Sequence, residues 1–109
     1  MIDHAPIDLL QDSAAKAARM LRLLGNEHRL LVLCLLADGE KHVGALQQEV
    51  ALSQSALSQH LAKLREDGLV ATRRESQTIH YRIADPDVMR LIETLADIYC
   101  PPEARKPSQ

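Results

Sequence analysis

The spacing of apolar residues changes at Gly68, and this change constrains the fold more than any other feature of the chain. Residues 54–66 have helical spacing, with Ser53 suited to cap the helix and one apolar face made of Leu57, Leu61 and Leu64. Residues 69–75 and 78–83 instead alternate apolar or β-branched residues with polar ones, which is typical of strands. Because the residues between them suit a turn, the pattern predicts a helix followed directly by a two-stranded β-hairpin.

The remainder of the chain predicts helices on which such a hairpin could rest, since an isolated hairpin is marginally stable in water. Helical spacing covers residues 8–24, 27 to about 37 and about 43–50, with Asn26 suited to cap the second helix. Asp85-Pro86 opens a last helix, which Pro101-Pro102 is expected to end. The first and last helices carry stripes of small or apolar residues: Leu10, Ala14, Ala17, Leu21 and Leu24, then Met89, Ile92, Leu95, Ala96 and Tyr99.

This order of elements describes a winged helix-turn-helix. We predict a mainly α (α+β) fold with five helices and a two-stranded β-hairpin wing. At 109 residues the chain is predicted to be a single domain, 1–109, ordered over about 8–100 and disordered in the tail 101–109. Because it has two Tyr and neither Phe nor Trp, its core must be aliphatic.

Charge is distributed unevenly along the chain. The formal net charge is −2, yet residues 53–82 hold five basic and three acidic side chains. A basic surface on an acidic body is compatible with nucleic-acid binding. Neither an apolar run long enough for a membrane span nor a signal peptide is recognisable, so we expect a cytoplasmic protein.

The polar face of the helix at 54–66 is the candidate DNA-reading surface. Gln pairs with adenine, Ser bonds base edges or phosphates, and a helix N-terminus favours phosphate. An ordinary solvated face explains the same periodicity equally well, but the basic hairpin that follows favours DNA. The predicted DNA-binding residues are Gln54, Ser55, Ser58, Gln59, His60, Lys63, Arg73, Arg74 and His80.

Three segments, "LGNEHRLLVLCLLADGE", "LSQSALSQHLAKLREDGLV" and "RRESQTIHYRIAD", resemble the ArsR/SmtB family of small dimeric bacterial repressors. The resemblance covers roughly residues 17–100. It implies a homodimer formed through the first and last helices, with the helix that starts at Gln54 in the major groove of a double-stranded operator. A transcriptional repressor, and not an enzyme, is therefore the predicted function.

Metal sensing by this family does not match the residues present. Zinc-sensing members place ligands on the last helix at positions that correspond here to Asp85, Asp87, Ile98 and Pro101, and Ile and Pro cannot ligate. The other metal motif corresponds to "EKHVGAL", which contains no Cys and offers only His42. We predict no metal and no cofactor.

The two cysteines, Cys34 and Cys100, match the positions used by persulfide-sensing members of the family. The resemblance implies that reactive sulfur species link the two sulfurs, directly or through extra sulfur atoms, and that DNA is then released. By itself Cys34, which lies among leucines, is more typical of a small core residue than of a sensor.

Three alternatives to a sulfur switch remain at this point. A metal-responsive repressor and a DNA-binding regulator with inert cysteines share the predicted fold. A thiol-dependent enzyme is disfavoured because the chain has neither a Cys-x-x-Cys pair nor a Gly-rich phosphate loop.

Overall fold

The computed structural model describes residues 6–100, so the predicted tail at 101–109 lies outside the described residues. The described chain forms five helices and three strands in the order predicted for a winged helix-turn-helix. The helices are α1 (Ile7–Leu24), α2 (Glu27–Leu36), α3 (Val43–Glu49), α4 (Gln54–Glu66) and α5 (Pro86–Tyr99). The strands are β1 (Lys41–His42), β2 (Val70–Glu75) and β3 (Thr78–Ile83).

Side-chain caps set the starts of four helices, among them α2, α4 and α5. The Asn26 side chain accepts hydrogen bonds from the backbone N–H groups of His28 and Arg29, at 2.9 and 3.1 Å, and so starts α2. Ser53 Oγ accepts from the Ala56 N–H at 3.1 Å and starts α4. Both caps were predicted from the sequence and are confirmed. Asp85 caps α5 in the same way and is followed by Pro86 in the first turn.

The sheet contains one strand more than the sequence pattern predicted. β2 and β3 form the predicted antiparallel hairpin, while β1 pairs with the other edge of β3, His42 lying opposite His80. A strand of two residues has no alternation to detect, which is why the sequence showed no sign of β1. The hairpin turn places Ser76 at φ 59°, in the left-handed region.

The core is aliphatic, as predicted, and lies between α2, α4, α5 and the base of the hairpin. All three leucines of the predicted α4 stripe are fully buried, so α4 presents its opposite face to solvent. The stripes on α1 and α5 are different: Leu24 and Ile92 are buried, but Leu21 is 64% exposed and Tyr99 is 77% exposed. Within residues 6–100, no helix is long and apolar enough to cross a membrane.

Candidate nucleic-acid interface and thiol pair

The N-terminal half of α4 displays the predicted reading residues. Gln54, Ser55, Ser58 and Gln59 are all exposed, because burial of the leucine face turns them outward. The Ser53 side chain accepts a hydrogen bond from the Ala56 N–H. The N-terminal end of the helix carries partial positive charge. This surface can bond base edges and attract phosphate.

A cleft of about 410 Å³ separates the start of α4 from the tip of the hairpin. Gln54 and Ser58 line one wall, and Gln77, Thr78 and Ile79 line the other. The recognition surface of α4 and the wing tip therefore flank one cleft on the same side of the molecule, where a single duplex can contact both.

Two of the α4 residues predicted to contact DNA have partners within the protein. The His60 ring is partly buried and lies 5.9 Å from the His28 ring of α2, between ring centroids. Lys63 Nζ lies 3.4 Å from an Asp67 carboxylate oxygen and 3.7 Å from a Glu66 oxygen. His60 is therefore partly covered, whereas Lys63 is exposed but paired with carboxylates at the end of its own helix.

Two wing residues predicted to contact DNA are likewise close to a carboxylate. That carboxylate belongs to Glu40, which the sequence did not indicate as a site residue. Glu40 accepts hydrogen bonds from Arg73 Nε at 2.8 and 2.9 Å, and Arg73 Nη2 lies 2.7 Å from the same carboxylate. His80 lies between carboxylates, with Nδ1 3.9 Å from Glu40 and Nε2 3.5 Å from Glu75. The hydrogen bond from Arg73 lowers the pKa of Glu40, which is consistent with a persistent ion pair.

Arg74 is the exception among the predicted basic wing residues. Its side chain is exposed, and no ion pair joins it to any other residue between Pro6 and Cys100. In the hairpin register it lies opposite Ile79, a residue that lines the cleft beside α4. Arg74 is therefore a free positive charge on the cleft side of the wing.

The two cysteines lie on helices that pack against each other. Cys34 is a partly buried residue of α2 against the core, and Cys100 ends α5 with an extended backbone, φ −85° and ψ 132°. An extended residue here is expected because Pro101 follows. Burial raises the pKa of the Cys34 thiol, and the neighbouring charges of Cys100 and Asp38 raise it further. Both thiols are free and partly exposed.

The residues described here, 6–100, contain no group of three or more His, Cys, Asp or Glu side chains arranged to hold a metal ion. His42, which the sequence singled out as a weak ligand, accepts a hydrogen bond from the Ala45 N–H at 3.2 Å through Nδ1 and so caps α3. Asp85 likewise accepts a hydrogen bond, from the Asp87 N–H, and caps α5. Both side chains have structural partners.

The environment of His60 predicts a loss of stability in mild acid. Burial, and then the charges of Arg29 and His28, lower the pKa of His60 below its ordinary value. The unfolded chain therefore binds more protons, so stability is lost as the pH falls through about 6.5. In urea unfolding at about pH 7.5 and about pH 5.5, we expect His60→Gln to lose less stability than the wild type between the two values. An equal loss in both proteins would contradict this role of His60.

Comparisons with known proteins agree with the fold. Residues 26–72 match the model of the arsR family of bacterial regulatory proteins. The chain is 49% identical over 98 residues to the transcriptional activator HlyU of Vibrio cholerae, covering 88% of this chain and 91% of that protein. It is 42% identical over 102 residues to the biofilm growth-associated repressor of Agrobacterium fabrum, covering 94% and 87%.

Solved structures give the same result. Reduced HlyU from Vibrio cholerae superimposes with a TM-score of 0.80 at 49% identity, over 84% of this chain and 97% of the other. The homodimeric winged helix-turn-helix DNA-binding domain Mb0332 of Mycobacterium bovis superimposes with a TM-score of 0.71 at 33% identity, over 89% of each chain. The winged helix-turn-helix predicted from the sequence is confirmed.

Proposed function

The chain belongs to the arsR family of bacterial regulatory proteins, and we propose that it is a homodimeric cytoplasmic repressor that releases its operator when reactive sulfur species link Cys34 to Cys100. DNA-binding transcriptional regulation follows from the family. The matching relatives are named as an activator and as repressors, so the direction of regulation is part of the proposal.

One observation carries the sulfur switch: the only two cysteines of the chain lie, as free thiols, on two helices that pack against each other. α2 belongs to the helical body that holds α4, since both share the buried core. α5 carries exposed apolar side chains suited to a partner subunit. A covalent bridge between Cys34 and Cys100 would therefore couple modification of the cysteines to the relative position of the two subunits.

The chemistry needs only an organic persulfide as co-reactant. One cysteine takes the outer sulfur of the persulfide, giving a cysteine persulfide and a free organic thiol. The other cysteine then attacks the inner sulfur, forming a disulfide and releasing hydrogen sulfide. If the cysteine persulfide first takes a second sulfur, attack of the other cysteine on the middle sulfur of the chain of three releases hydrogen sulfide and leaves a trisulfide bridge.

Homodimerisation is supported by apolar side chains left uncovered on the two helices. α1 exposes Ile7, Leu9 and Leu21, and α5 exposes Leu91, Ile98 and Tyr99. Large exposed apolar surfaces mark interaction sites. Two copies joined there would hold two α4 helices for half-sites about one DNA turn apart.

The test uses the full chain and a duplex of about 30 base pairs selected from a random library by binding to the reduced protein, long enough for two half-sites. We expect an organic persulfide to release the duplex and to produce a bridge within one chain, seen as a mass change of about −2 Da or about +30 Da. Failure to enrich any duplex would refute DNA binding. Bridge formation without release, or release with both thiols intact, would refute the switch.

A further inference from the structure

The register of the hairpin places two neighbouring arginines on opposite faces of the wing. Arg73 lies opposite His80, and Arg74 lies opposite Ile79. Successive residues of a strand point to opposite faces, while cross-strand partners share a face. Ile79 and Tyr81, which alternate along β3 and share the face of Arg74, both line the cleft beside α4, so Arg74 belongs to the face turned toward α4 and Arg73 to the other. His42 and Thr78, on the Arg73 side of the sheet, border the cleft as well.

On that other face, Arg73 forms a hydrogen-bonded ion pair with Glu40. Three contacts of 2.7 to 2.9 Å join the guanidinium to the carboxylate, which is the fork geometry of a strong arginine–carboxylate pair. The Arg73 side chain is 48% exposed and that of Glu40 is 27% exposed, so the pair lies at the surface and its strength rests on this geometry and not on burial. Glu40 directly precedes β1, which pairs with the edge of β3, so the ion pair also ties the short strand to the wing.

We propose, on the basis of the proposed DNA-binding function, that Glu40 is a positioning residue that withholds Arg73 from DNA, so that of these two neighbouring arginines Arg74 is the one that binds phosphate. A cation already neutralised by a carboxylate adds little when it approaches a phosphate, because it must first leave its partner. Arg74 has no such partner among residues 6–100 and pays no such cost.

The proposal predicts a different salt dependence of DNA binding for variants of the two arginines. The slope of log affinity against log salt concentration changes by about 0.9 for each phosphate that a cation neutralises. Arg74→Ala should therefore flatten the slope by about 0.9 per protomer, whereas Arg73→Ala should leave it unchanged. Glu40→Gln frees Arg73 without changing the shape of residue 40, and should steepen the slope by about 0.9 per protomer.

The experiment measures binding of the full-length protein to the selected duplex over a fourfold range of salt. For a dimer with two wings, Glu40→Gln should lose about 12-fold more affinity over that range than the wild type. The double variant Glu40→Gln/Arg73→Ala should return to the slope of Arg73→Ala. Glu75→Gln is the matched control, since it removes one charge from the same wing at a longer distance, 3.7 Å, from Arg73. Its slope should equal that of the wild type.

Two results would overturn the proposal. An Arg73→Ala slope as flat as that of Arg74→Ala would mean that Arg73 already contacts DNA in the wild type. A Glu40→Gln slope that stays unchanged, or that steepens equally in the Arg73→Ala background, would mean that Glu40 does not act through Arg73. Absence of any wild-type binding would refute the proposed function itself, so the two failures are distinguishable. Thermal unfolding of each variant establishes that the wing variants are folded.

Discussion

Leu21→Glu is expected to separate the dimer and, with it, to remove tight binding to the operator. Leu21 is 64% exposed in one chain, so the substitution should leave the folded protomer intact. In the proposed dimer the side chain is buried in both copies, and losing two buried leucines costs about 3–6 kcal/mol. The dimer should therefore weaken by about 10²- to 10⁴-fold.

The effect on DNA follows from geometry, because two half-sites are read by two linked helices. A single protomer keeps its α4 surface and its wing, so it should retain weak, salt-sensitive binding. Sedimentation measures the oligomeric state, and binding to the selected duplex measures the consequence.

Ala15→Glu provides the matched control for charge. It adds the same carboxylate to an exposed position of α1 that lies outside the apolar stripe. We expect this variant to remain dimeric and to bind DNA nearly as the wild type does. A dimeric Leu21→Glu protein, or a monomeric Ala15→Glu protein, would contradict the assignment of the stripe to the interface.

Cys34→Ser and Cys100→Ser are each expected to abolish the release of DNA by an organic persulfide. Serine is close to cysteine in size but forms no bond to sulfur, so neither variant can complete the bridge. In the wild type the bridge should lower DNA affinity by about 5- to 150-fold, the usual range for coupling between two sites. Each variant should keep its affinity under the same treatment.

The two single variants should differ in the products that they form. Each retains one thiol that can accept sulfur from the persulfide, so a mass gain of about 32 Da is expected without a bridge. Because burial raises the pKa of the Cys34 thiol, the sulfur gain through Cys34 alone should quicken as the pH rises.

Cys34→Ala is the control for the partly buried site on α2, since it removes the hydroxyl that serine introduces beside the core. It should bind DNA as the wild type does and should also fail to respond. A single-cysteine variant that still releases DNA fully would show that modification of one thiol suffices, and the bridge would have no role.

Much of the fold was predictable from local pattern. Ser53 and Asn26 cap their helices as expected, and the α4 leucines are buried as their spacing indicated. These features depend on residues within a few positions of one another, and helical spacing and capping act over that range. The exposed Gln54 and Ser58 follow from the same periodicity.

The pairing of the predicted site residues was not predictable in this way. Arg73 and Arg74 are equivalent in the sequence, yet one is held by Glu40, 33 positions away, and the other has no ion-pair partner among residues 6–100. His60 was predicted to lie beside the DNA-reading face, but it packs near His28 of α2. Both contacts join segments that are distant along the chain.

The sequence by itself therefore determined the helices, the hairpin and the polar face of α4, because each depends on short-range periodicity and local hydrogen bonds. Only the tertiary structure decided which charges are neutralised, where the two-residue strand β1 pairs, and that the helices bearing Cys34 and Cys100 pack together. The physical reason is that ion pairs, strand pairing and helix packing depend on distances in space. Those distances are set only when the aliphatic core brings remote segments together.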